Sequence, residues 1–156
     1  MIEILVGVVT LGSLVALQAG LRHRTQGKLV RAWERAQKDL AQDDLGAAET
    51  QLAECARLVP LWLPARYLLG AVLAKQGKLD RAEEQFKMAQ ALQPREASGF
   101  IELGIFYVTM ANRTDDGLAQ FREALRLDPA ARPQHEGDPR LASFRESAAF
   151  AALEQV

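Results

Sequence analysis

The sequence has one cysteine, two histidines, and aromatic residues at only 6%. One cysteine excludes a disulfide framework. The histidines, His23 and His135, have no second histidine or cysteine three or four residues away, so a metal site has no foundation. No excess of positive charge exists: 19 Lys and Arg face 20 Asp and Glu, which argues against a nucleic-acid binder that works through a basic stripe. Phosphate-cradling, dinucleotide and nucleophile-elbow motifs are missing too. No catalytic set and no cofactor or small-molecule site is therefore expected, and an enzyme is improbable on these residues. The apolar content of 49% is normal for a folded chain, and 156 residues suit one domain.

One long hydrophobic run is present. From Ile4 to Leu21 eighteen residues pass without a charge, and extending the run to Ile2 gives about 30 Å of helix, the thickness of a bilayer core. Glu3 is the one charge before it, whereas Arg22, Arg24, Lys28 and Arg31 follow closely. The positive-inside rule then puts the N-terminus outside and the rest in the cytoplasm. A cleaved signal peptide fits less well, because its n-region should be basic and a small residue should stand where Leu17 does. The expectation is a signal anchor with a basic flank over 1–24, in a single-pass protein compatible with a bacterial inner membrane. Gly12, Ala16 and Gly20 recur every fourth residue, which lines up a face suited to close helix packing in lipid. The basic flank suffices to set topology and can also meet anionic headgroups.

The rest of the chain repeats. Pro60, Pro94 and Pro129 close three similar segments 34 and 35 residues apart. Leu45, Ala48, Leu52 and Cys55 recur as Leu79, Ala82, Phe86 and Ala89, and Leu69-Gly70 recurs as Leu103-Gly104, all at an offset of 34. Phe86 and Ala89 then recur as Phe121 and Ala124 at 35, so one residue has been inserted between Gly104 and Gly117, in the loop around Tyr107–Gly117. Each unit has the periodicity of two amphipathic helices. Gly77 is expected to end one of them, and Asp43, Asp44, Asp80, Asp115 and Asp116 to cap helix starts. Small residues at Gly70, Ala82 and Ala89 leave room for a partner helix. Cys55 occupies a small-residue position and is expected to be a buried thiol, and Trp62 to pack between units.

These motifs resemble the tetratricopeptide repeat. The middle unit has Leu69-Gly70-x-x-Leu73, Ala82-x-x-x-Phe86 and Pro94; the third has Phe100-x-x-Leu103-Gly104-x-x-Tyr107, Gly117-x-x-x-Phe121, Ala124 and Pro129. The first departs from the pattern, with Arg35 and Ala36 in place of the usual Leu-Gly, and Arg66 replaces the aromatic opening of the second. The implied fold is all-α: an N-terminal transmembrane helix, a right-handed helix-turn-helix solenoid over 25–130 (units 29–62, 63–96 and 97–130), and a linker with C-terminal capping helices over 131–156, the last capped by Ser147. The resemblance further implies a concave protein-binding face on the first helix of each pair. Carried across, its positions are Trp33, Gln37 and Leu40, then Tyr67, Ala71, Ala74 and Lys75, then Ile101, Ile105 and Val108. The Lys/Asn set by which some members clamp a C-terminal carboxylate is missing. The expected function is a membrane-tethered scaffold for other proteins. An accessory subunit of a larger membrane complex, held through Gly12, Ala16 and Gly20, and a secreted module after signal cleavage are the alternatives.

Overall fold

The computed structural model describes residues 24–131 and 139–147. The run Ile4–Leu21, with Gly12, Ala16 and Gly20, lies outside the described residues, as do both histidines. Among the described residues no helix is long and apolar enough to cross a membrane. Six helices follow one another: α1 over 24–41, then α2 (Leu45–Leu58), α3 (Leu63–Lys75), α4 (Leu79–Leu92), α5 (Ala97–Thr109) and α6 (Thr114–Leu127). Short 3-10 turns at Pro129–Ala131 and Pro139–Leu141 lead to one turn of helix, α7 (Ala142–Arg145).

Short connections force consecutive helices to run antiparallel. Each inner turn contains one residue at positive φ: Asp43 (56°), Gly77 (77°) and Asn112 (53°). At Gly77 the chain closes a Schellman motif, with Gly77 N–H on the Ala74 carbonyl at 2.9 Å and Lys78 N–H on that of Leu73 at 2.9 Å. The inserted residue falls in the α5–α6 turn, Met110–Arg113, which is one longer than the α3–α4 turn. Asp44 caps α2, accepting from Ala47 N–H at 2.9 Å. Asp80, Asp115 and Asp116 do not cap: α4 and α6 start after Lys78 and Arg113, and these acids sit in the first turn. There they favour the helix dipole without a capping bond, and Asp116 accepts instead from Arg113 Nε at 2.6 Å.

The register of small and large residues sets how closely each pair packs. A Cβ at Gly70 would lie 2.8 Å from Phe86 Cε2, and one at Gly104 would lie 2.7 Å from Phe121 Cε1. The equivalent pair in the first unit is Ala36 with Leu52, both fully buried. A smaller partner on α2 thus makes room for the methyl group on α1, and the first unit departs from the motif without departing from the fold. Phe86, Phe106 and Tyr107 continue the packing across units, with ring centroids 5.1 Å and 5.5 Å apart. Tyr107 Oη donates to Glu83 at 2.8 Å, and Glu83 also accepts from Arg113 at 2.6 Å. Burial, with the Glu83 carboxylate beside it, pushes the Tyr107 phenol up to about 12.

Cys55 is buried, its thiol pushed up chiefly by burial, and Trp62 is half-buried with its ring centroid 4.6 Å from that of Trp33. At the other end, Leu141 and Phe144 close a second core with Ile101, Ile105, Leu118 and Phe121. Arg140 reaches Glu102 through two bonds of 2.9 and 3.0 Å. Ser147 Oγ donates to the Phe144 carbonyl at 2.6 Å; the helix that Ser147 is expected to cap lies outside the described residues.

The compensation between units is testable. Gly70→Ala should cost about 1–3 kcal/mol through overpacking, and Phe86→Leu about 1 kcal/mol. The double variant recreates the Ala36–Leu52 pair and should lose at least about 0.5 kcal/mol less than the sum. Urea unfolding of the three variants measures this, and simple additivity would contradict the packing account.

Candidate functional site

The inner face of the stack holds a hollow of about 300 Å³. Trp33 comes from α1; Pro64, Tyr67, Leu68 and Ala71 from α3; and Glu102, Ile105, Phe106 and Thr109 from α5, with Met110 just after its end. Phe86 of α4 also reaches it, as does Arg140 from the tail. Three successive odd-numbered helices expose one face each to the same space, because helices 34 residues apart in the repeat lie side by side. Ala71 provides the depth: a larger side chain there would occupy the hollow. The lining is predominantly apolar, and its two charged groups, Glu102 and Arg140, neutralise each other across the rim. Such a surface suits apolar side chains of a partner and offers no acid, base or nucleophile arranged for chemistry. Among the described residues no group of three His, Cys, Asp or Glu side chains is placed to hold a metal ion.

Of the positions carried over from the repeat pattern, Trp33, Tyr67, Ala71 and Ile105 line the hollow. The others stand elsewhere. Gln37 and Lys75 are exposed beyond its edge, and Leu40 packs on the first core. Ala74 is buried within that core. Ile101 is 5% exposed and belongs to the second core. Val108 turns to α6, where it fills the space beside Gly117. Both Ile101 and Val108 lie on α5, whose sides are taken by α6 and by Leu141 of the tail. Glu102, Thr109, Met110 and Arg140 are lining residues that the pattern does not mark. Thr109 and Met110 follow Ile105 by one helical turn and so had a signal in spacing. Arg140, 38 positions from Glu102, had none.

Tyr67 spans the two environments. Its ring borders the hollow, while its hydroxyl is buried near Ser98 with no well-aligned hydrogen bond among the described residues. Burial pushes its phenol upward, with Glu102 adding to the effect.

No family model matches this chain, and no curated protein matches it. Solved structures do resemble it. A MamA structure (MSR-1) is 24% identical, with 66% of this chain and 59% of that one covered and a TM-score of 0.56. The Arabidopsis OM64 TPR domain is 14% identical, covering 84% and 98% with a TM-score of 0.60. An O-GlcNAc transferase mutant from Thermobaculum terrenum is 25% identical, covering 80% of this chain but 24% of the other, also at 0.60. The chain therefore spans about three fifths of that MamA chain and a quarter of the transferase. Its described helices form a tetratricopeptide-repeat fold.

The assignment of Ala71 to a hollow and Ile101 to a core has a stability consequence. Ile101→Ala should cost about 2–4 kcal/mol, whereas Ala71→Leu should stay within about 1 kcal/mol because space is already there. Denaturant midpoints compare the two, and equal losses would mean that the hollow is closed.

Proposed function

We propose that this chain is a membrane-tethered tetratricopeptide scaffold that binds another protein in the hollow between α1, α3 and α5. The observation that supports this reading best is the hollow itself. It is concave and apolar, is assembled from three units, and presents Trp33 and Tyr67, residue types that dominate binding energy at protein interfaces. Its neutral rim matches an apolar segment of a partner rather than a charged terminus. The tether is proposed from the uncharged run Ile4–Leu21 and the bases after it. It orients the repeat domain to the cytoplasmic side, compatible with a bacterial inner membrane, and raises the local concentration of the scaffold for partners found there.

A second reading, an accessory subunit of a larger membrane complex, draws on the spacing of Gly12, Ala16 and Gly20. The two differ in what releases the partner. Affinity capture of the intact chain in mild detergent, followed by mass spectrometry, should retain a protein partner. Met110→Glu, at a lining residue already 37% exposed, should lower its recovery about tenfold, the loss of roughly one interface contact, with the unfolding midpoint unchanged. A partner indifferent to Met110→Glu but lost on Gly12→Leu would favour the subunit reading and contradict the hollow.

A further inference from the structure

The antiparallel order of the helices gives the stack two ends that differ in their charge pairing. One end carries the first described residues of α1, the α2–α3 and α4–α5 connections and the end of α6. The other carries the α1–α2, α3–α4 and α5–α6 turns. The second end mixes signs: Asp43, Asp44, Asp80, Asp115 and Asp116 lie in or just behind its turns together with Lys75, Lys78, Arg81 and Arg113, and the last three are paired with Glu49, Glu83 and Asp116. Bases gather at the first. Arg24, Lys28 and Arg31 stand on the first described turns of α1, and Arg95, next to Glu96, in the α4–α5 connection. All four bases are exposed, and the described residues give none of them an ion pair. Arg57 and Arg126, on the last turns of α2 and α6, add to that end but are paired with Glu54 and Glu123.

The same end is also where the described residues expose apolar side chains. Val30 is 49% exposed, Leu61 74%, Met88 40% and Leu92 36%. Met110 is the other large apolar residue so exposed, and it belongs to the hollow. Arg66 links the α2–α3 connection to α4. Its guanidinium donates to the Pro60 carbonyl at 2.9 Å and touches Met88 Sδ at 3.2 Å, which ties the Leu61 connection to the last turns of α4. Met88 and Leu92 are four residues apart and so share one face of that helix. Exposed apolar groups among unpaired bases are the composition of a surface that lies in a headgroup layer. The end in question begins at Arg24, three residues after the apolar run closes at Leu21.

We propose that this end of the repeat domain itself rests on an anionic lipid surface, with Leu61, Met88 and Leu92 at the acyl boundary and Arg24, Lys28, Arg31 and Arg95 among the headgroups. The inference rests on the tether proposed above and adds an orientation to it. The stack stands on the bilayer by this end, its opposite end points away, and the hollow opens sideways along the membrane. Each base near the surface favours this state about fivefold over a freely swinging domain, and salt weakens the preference.

Depth-dependent fluorescence quenching tests it on the intact chain. A bimane label is placed through Leu61→Cys or, as a control at the opposite end, Gln42→Cys; Cys55 stays, since it is buried. Each protein is reconstituted into vesicles of phosphatidylcholine with or without phosphatidylglycerol, containing lipids doxyl-labelled near the headgroup. The expected result is quenching at position 61 severalfold above that at 42 in the anionic vesicles, falling when phosphatidylglycerol is omitted or salt is raised. Equal, weak quenching at both positions in protein that floats with the vesicles would overturn the orientation and leave the tether standing. Protein that fails to float would overturn the tether and this inference with it.

Discussion

The close approach of paired helices at Gly70 and Gly104 is the constraint on which the rest of the structure depends. Each glycine lets a phenylalanine ring from the following helix come within 3 Å of where its Cβ would be. Phe86, which seats against Gly70, also stacks on Phe106 and forms part of the hollow. One ring therefore joins helix pairing, contact between units and the binding surface. A wider α3–α4 pair would move α3 relative to α5, and the space between Tyr67, Ala71 and Ile105 would lose its shape. Interiors packed at crystal-like density pass such displacements on rather than absorb them.

Much of this arrangement is legible from residue spacing. The offset of 34 identifies equivalent positions without any structure, and the change to 35 marks an insertion that the fold puts in Met110–Arg113. Gly77 and Asp44 act at helix ends as their chemistry demands. Asp80, Asp115 and Asp116 mislead, because an acid before a helix and an acid in its first turn give the same local pattern, and tertiary packing decides where the helix starts. Ile101 and Val108 mislead for a different reason. A repeat pattern assigns every unit the same faces, but the described residues after the third unit are those of the tail and not of another helix pair. That unit's exposed side is covered instead by Leu141 and Phe144, and α5 becomes a core helix over part of its length. The Arg140–Glu102 pair is invisible in sequence, since it joins residues brought together by the course of the tail.

Charge follows a simpler logic. Acids at the starts of α4 and α6 and bases at the ends of α2 and α6 suit the helix dipoles. Because α2, α4 and α6 all point the same way, these local preferences repeat along the stack, and bases without an ion pair among the described residues stand beside exposed apolar groups at one end. The hollow lies between the ends, neutral at its rim, so a partner is recognised there by shape and apolar contact while charge governs how the whole domain is presented.

Site-specific photocrosslinking tests the central claim, that the hollow is where a partner protein binds. A photoreactive benzoylphenylalanine replaces either Met110 in the hollow or Glu84 on the outer side of α4, and the intact chain is irradiated in its native membrane. The account predicts discrete heavier products from position 110 and none from position 84. Products of equal yield from both positions, or from 84 alone, would contradict it.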